Sequence, residues 1–353
     1  MTLTQPRITD EELHNLLAQR RLPRWTPIAT GATAIAGAIL LAVTTAIGGR
    51  AGTAIVAFLL FLALQTFVSF RIEGRRYAID RLTSTFLLSA VIAALVPLIS
   101  ILLTVVVRGL RAFDLGFLSS TMRNVSPRRE GGGILHALIG TIEQVAIAAA
   151  IGVPLGILAA VYLVEYGNRS RLARTVSFFV DVMTGIPSIV AGLFVYTALI
   201  LTLGLQRSGF AAAISLAILM IPVVVRSTEE MLRLVPNELR EASYALGVPK
   251  YLTIRRIVIP TASSGIITGA MLAIARVTGE TAPLLLTTFF TQSTNLNPFN
   301  GPQASLPTFV WDQIGSGTTA SVDRAWAGAM VLILLVMILN LSARLIARAS
   351  RVK

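Results

Sequence analysis

The chain contains no cysteine, and only two of its 353 residues are histidine. Without cysteine, disulfides, thiolate catalysis and Cys-ligated metal sites are excluded. His14 and His136 are far apart and fall in no metal-ligand spacing, so no metal is expected, and both read as ordinary terminal or loop residues. Lysine is nearly missing too: of the 30 cationic residues only Lys250 and Lys353 are not arginine. Neither lies in a GxxxxGK[ST] phosphate cradle, so the chain is not expected to bind ATP by that route. Charged residues of all kinds make up 13% of the chain, about half their share in a soluble domain. No nucleophile–base pair is visible, and covalent chemistry is not expected.

What remains is apolar. Hydrophobic residues make up 54% of the chain and the mean hydropathy is +0.76. Runs of about 18 or more apolar residues recur, each long enough to cross a hydrocarbon core of about 30 Å as a helix. The alternating pattern of a membrane barrel is absent. The expected fold is an all-α polytopic membrane protein with eight spans, near 27–47, 52–70, 82–107, 135–163, 176–203, 209–225, 262–290 and 324–347. The first 26 residues are polar, with Asp10, Glu11 and Glu12, and show no signal-peptide cleavage pattern, so the first span is expected to be retained. Thr9 to Arg20 reads as a short capped helix.

The net charge of +13 lies in short loops beside the spans, which argues against a nucleic-acid partner and for a lipid one. With both termini in the cytoplasm, 21 cationic residues fall on the cytoplasmic side and 8 outside. The outside loop 108–133 runs against this trend, with five arginines. The domains expected are a cytoplasmic tail (1–26), an accessory hairpin (27–75), a first core helix with its outer loop (76–133), a transmembrane domain (134–347) and a short cytoplasmic tail (348–353).

Within the fourth domain, 226–260 reads as a set of short amphipathic helices. Ser227 and Glu230 form a capping-box pattern. Asn237 can cap a helix through Leu246, Gly247 suits the left-handed residue that ends it, and Pro249 suits a new start. Such helices need a surface to bury against, either headgroups and the chain's own helix ends or a partner with a groove. Elsewhere Gly152 and Pro154, Gly185 and Pro187, and Pro283 place helix breakers inside apolar spans, as broken helices lining a cavity or as packing kinks.

Charge inside the spans is the sharper signal. Arg276 lies mid-span, at a cost of about 2.5–3.5 kcal/mol if it met lipid. Its planar fork suits an oxyanion. Glu280, one turn on, offers the competing account, an internal Arg276–Glu280 clamp. Glu143 can line the same path or pair with a neighbouring helix. Asp181, near a span end, reads as structural.

Residues 241–260, EASYALGVPKYLTIRRIVIP, resemble the EAA signature of ABC importer permeases through Glu241, Ala242, Gly247, Ile257 and Pro260. Ser243 and Ile259 depart from it, where the family prefers Ala and Leu. The resemblance implies a type I permease core of six helices, here preceded by an extra hairpin, whose EAA helix docks an ATPase. GIPSIVAGLF (185–194), GVPLGILAAVYLVEYG (152–167), REGGGILHALIGT (129–141) and ARVTGETAPLL (275–285) together resemble the PstA family of phosphate-importer permeases over about residues 82–353. That resemblance implies transport of inorganic phosphate by alternating access. It also implies a PstC-like sister permease, two PstB-like ATPase subunits that use the ATP, and an external PstS-like phosphate-binding protein, with no cofactor bound by this chain. Sulfate or molybdate import, or a non-transporting scaffold or sensor that docks an ATPase, stay open as alternatives.

Overall fold

A computed structural model describes residues 22–44, 49–167 and 170–349. The expected helix at 9–20, with His14, and the last four residues lie outside the described residues. Every regular element among the described residues is helical. Among the described residues seven helices are long and apolar enough to cross a membrane, and a bent pair makes an eighth if counted as one span. The chain divides into two compact units, Met1–Ile101 and Leu102–Lys353.

The first unit holds α1 (Thr26–Thr44), α2 (Gly49–Ile72) and most of α3 (Arg75–Gly109). α1 buries Thr30, Ala34 and Ala38, one turn apart, so the α1–α2 hairpin packs through small side chains. Thr30 Oγ1 donates to Gln65 Oε1 at 2.7 Å, which satisfies two polar groups that lipid could not. Between α2 and α3 the chain turns at Gly74, whose φ of +88° suits a residue without Cβ. Glu73, beside that turn, accepts from Leu22 N and Arg81 at 2.7 Å and from Ser69 Oγ at 2.8 Å.

The second unit is built around α8 (Gly209–Arg233), whose apolar stretch up to Val225 is buried on nearly all sides. α5 (Leu135–Val161) runs parallel to it. A Cβ on Gly152 would meet Met220, and one on Gly156 would meet Val224. Pro154 lies inside this unbroken helix, so the 152–156 motif serves close packing rather than a break. The expected 176–203 span is instead two helices, α6 (Arg171–Gly185) and α7 (Ser188–Val195, extended by a π turn to Thr202), bent by 111° at Ile186 and Pro187. Pro187 removes a backbone donor at the bend.

Three further expectations fail from α8 onward. The span expected at 209–225 continues to Arg233, so Ser227 is an interior helical residue and caps nothing: its Oγ bonds back to Val224 O. Ion pairs from Glu229 to Arg226 and Arg233 sustain the helix through this charged turn. The span expected at 262–290 is shifted. One helix runs from Lys250 to Thr278, as α10 (Lys250–Thr253), a π turn (Ile254–Val258) and α11 (Ile259–Thr278), and the chain breaks at Gly279 before the short α12 (Ala282–Thr287). Pro260 would set its ring against the carbonyl four residues back; the wider π turn just before it relieves that clash. Asn237 is the first residue of α9 (Asn237–Ala245) rather than its cap, a position held by Pro236 with no side-chain bond.

α4 (Leu115–Ser119), capped by Asp114, lies in the 108–133 loop, and α13 (Leu306–Ser316) and α14 (Thr319–Ala349) complete the unit. His136 is no loop residue: it is buried in the first turn of α5, edge-on to Phe290 and Phe309.

Candidate functional site

The depth of Arg276 follows from helix register. A Cβ on Gly265 would meet Met231, and one on Gly269 would meet Ser227, so α11 runs antiparallel to α8. Continuing that register sets Arg276 level with Met220, near the midpoint of α8. Val277 and Met220 share one buried cluster, with Leu216, Ala217 and Leu284. Arg276 thus lies beside the middle of α8. α11 ends there, and Arg276 occupies its last turn, where a cation complements the helix dipole.

The Arg276 side chain is exposed on this chain and Glu280 is half-buried. No ion pair joins them, and among the described residues neither makes a side-chain hydrogen bond. The loop at Gly279 turns Glu280 off the helical face on which the two would have met. Pro283 opens α12 and packs on α7: a Cβ on Gly192 would lie 2.5 Å from Pro283 Cα.

Glu143 is tied to an element that the sequence pattern did not single out. Gln303 enters between α5 and α8 from the segment after α12. It donates from Nε2 to Glu143 Oε2 at 2.5 Å and to Asn295 O at 3.0 Å, and its Oε1 accepts from Gln144 Nε2 at 3.1 Å. Thr288 Oγ1 accepts from Gln303 N at 3.0 Å. Glycines make room for this insertion: a Cβ on Gly209 would lie 1.9 Å from Gln303 Oε1, and one on Gly140 would lie 2.0 Å from Ala304 O.

At the opposite end of α8, α9 is fixed by Arg240, whose Nη2 pairs with the buried Glu165 at 2.7 Å. Its remaining donors reach Val235 O at 2.7 Å and Leu232 O at 3.0 Å. Ser243 is buried and shares a 2.8 Å hydrogen bond with Thr253 Oγ1, so the hydroxyl that departs from the EAA pattern has its own partner. Gly247 has φ +74° and ends α9 as expected. Glu241 and Ala242 are exposed, among Leu239, Tyr244, Leu246 and Tyr251, which are also exposed. Ile257 is half-buried in the π turn and Pro260 is exposed. Asp181 pairs with Arg226, which also binds Glu229 and Ser177, so it anchors α6 to α8.

Three arginines escaped the sequence reading. Arg226 and Arg240 hold the α9 end. Arg324, buried at the start of α14, donates to Gln313 Oε1 at 2.8 Å and to the carbonyls of Arg129 at 2.7 Å and Pro127 at 3.0 Å, which fastens the arginine-rich loop. Only Asp181 gave a signal in sequence, as a lone acid needing a cation; the other partners are far apart in the chain and mark no motif. Among the described residues no group of His, Cys, Asp and Glu could hold a metal.

Residues 152–352 match the family described as binding-protein-dependent transport system inner membrane component. Phosphate transport system permease protein PstA 1 of Mycobacterium tuberculosis (strain CDC 1551 / Oshkosh) is 49% identical over 273 residues, covering 77% of this chain and 90% of that protein. PstA of Pasteurella multocida (strain Pm70) is 43% identical over 265 residues, covering 75% of this chain and 92% of that protein. Among solved structures, the bacterial alginate ABC transporter in complex with its alginate-bound periplasmic protein aligns with TM-score 0.54 at 16% identity, over 76% of this chain and 95% of that one. The inward-facing MetNI methionine ABC transporter aligns with TM-score 0.50 at 24% identity, over 62% of this chain and 94% of that one. At these identities the structural likeness shows a shared fold and nothing finer.

Proposed function

Because the chain belongs to the PstA family of phosphate ABC importer permeases, we propose that it forms one wall of a phosphate path, with Arg276 as the anion contact and a sister permease as the other wall. The observation that carries this reading is an arginine exposed on the isolated chain beside the middle of the apolar helix α8, with no side-chain hydrogen bond or ion pair among the described residues. Facing lipid there costs about 2.5–3.5 kcal/mol. A second subunit or an aqueous path must therefore cover it, and a PstC-like permease fits that need. With no clamp to Glu280, the fork keeps donors for two parallel bonds to an oxyanion.

Glu280 adds a reason to prefer phosphate over sulfate or molybdate. At neutral pH phosphate still carries a hydroxyl proton and sulfate carries none. An acceptor carboxylate on the path would reward the first and repel the second. Glu143, bound to Gln303, contributes to the path by holding the inserted segment. The exposed apolar residues around Glu241 and Ala242 suit a groove on a PstB-like ATPase, two copies of which would use the ATP. This chain would bind no cofactor and catalyse no covalent step. A PstS-like protein would deliver phosphate at the opposite end, which puts α9 and both termini in the cytoplasm.

The test is uptake of radiolabelled phosphate by the reconstituted complex, with sulfate as competitor. Arg276→Gln is expected to lose uptake by at least about tenfold while the complex still assembles. Near-normal uptake would remove Arg276 from the path. Since no ion pair joins the two residues, exchanging the charges at 276 and 280 is expected not to restore uptake.

A further inference from the structure

We propose that Arg207 is a second anion contact on the path, met before Arg276 by a substrate entering from the end opposite α9. The inference rests on the transport reading above. Arg207 lies in the short connection between the π turn after α7 and the start of α8. Its guanidinium carbon is 3.9 Å from the ring centroid of Phe289 and 4.8 Å from that of Tyr196. Ring faces attract a cation through their quadrupole and take none of its N–H donors. Among the described residues Arg207 makes no hydrogen bond and no ion pair. Arg226, Arg240 and Arg324 differ, because carboxylates, carbonyls or amides take up their donors. The half-buried Arg207 is therefore held in place without being neutralised.

Its position links it to Arg276. Phe289 follows α12, and Ser208 N donates to Thr287 O at 3.2 Å, so Arg207 is fastened to the far end of the segment whose near end carries Glu280 and Arg276. Six residues of helix span only about 9 Å. A single cation held by ring faces favours entry of an anion without trapping it, which is what a transfer step needs.

The experiment uses the full complex in liposomes and measures the initial rate of radiolabelled inorganic phosphate uptake against the concentration of phosphate-loaded binding protein. Arg207→Gln is expected to raise the half-saturating concentration about tenfold, with the maximal rate within about twofold of wild type. Arg207→Lys, which keeps the charge but loses the planar fork, should fall between the two. Phe289→Leu removes one ring and leaves the charge, and should raise half-saturation about threefold. If Arg207→Gln prevents assembly, Phe289→Leu decides. Wild-type uptake with half-saturation unshifted in the assembled variants would overturn the role of Arg207 alone. No phosphate uptake by the wild-type complex would overturn the transport reading instead.

Discussion

Arg240 and Arg276 show how differently one residue type behaves by environment. Arg240 is enclosed, and its partner Glu165 is 8% exposed. Replacing Glu165 with Gln leaves the guanidinium without a counter-charge, and is expected to destabilise the α9 end by about 3 kcal/mol, seen as a lowered melting temperature and weaker co-purification with the ATPase. Arg276 was legible in the sequence because a charge stands out in an apolar run. Its freedom from Glu280 was not: spacing alone puts the two on one helical face, and only the break at Gly279 separates them. The partner of Glu143 was equally hidden, since Gln303 is 160 residues away in a polar stretch with no periodicity.

The helices were legible where apolar runs were long, and less so where the chain breaks inside them. Hydropathy averages across a bend, so 176–203 reads as one span although the structure turns by 111° within it. A Ser-x-x-Glu pattern looks like a helix start at 227, but helix interiors hold such spacings too, and the ion pairs around Glu229 carry α8 through. Turn chemistry at Gly247 and Pro249 and the EAA signature both marked α9 and its Gly247 terminus. The inserted 288–305 segment was invisible, yet its seat is tight. Gly140→Ala puts a methyl group against the Ala304 carbonyl and is expected to destabilise the far end by at least about 2 kcal/mol, with the 288–305 segment more readily cleaved by protease. Gly185→Ala is the control: nothing lies within 4 Å of the added carbon, and stability should hardly change.

Across the whole molecule, the expected accessory hairpin falls in the first compact unit together with most of α3. Glu73 stabilises that unit. Burial alone would raise its pKa, but hydrogen bonds from Arg81, Leu22 and Ser69, with the Arg81 charge, more than offset this and hold it below the usual carboxylate range. A lowered folded-state pKa stabilises above the unfolded value, and the gain fades as pH falls through the folded one. Glu73→Gln is therefore expected to cost about 2 kcal/mol at pH 7, and the gap to wild type should close below about pH 4 in thermal unfolding. The register of α11 on α8 has an electrical consequence. An anion resting at Arg276 has crossed about half of the transmembrane field, against a negative interior. That work is about 1.2 kcal/mol per charge for each 100 mV. If phosphate rests at Arg276 as proposed, its occupancy should weaken as the liposome interior is clamped more negative, read as a fall in initial uptake at sub-saturating phosphate.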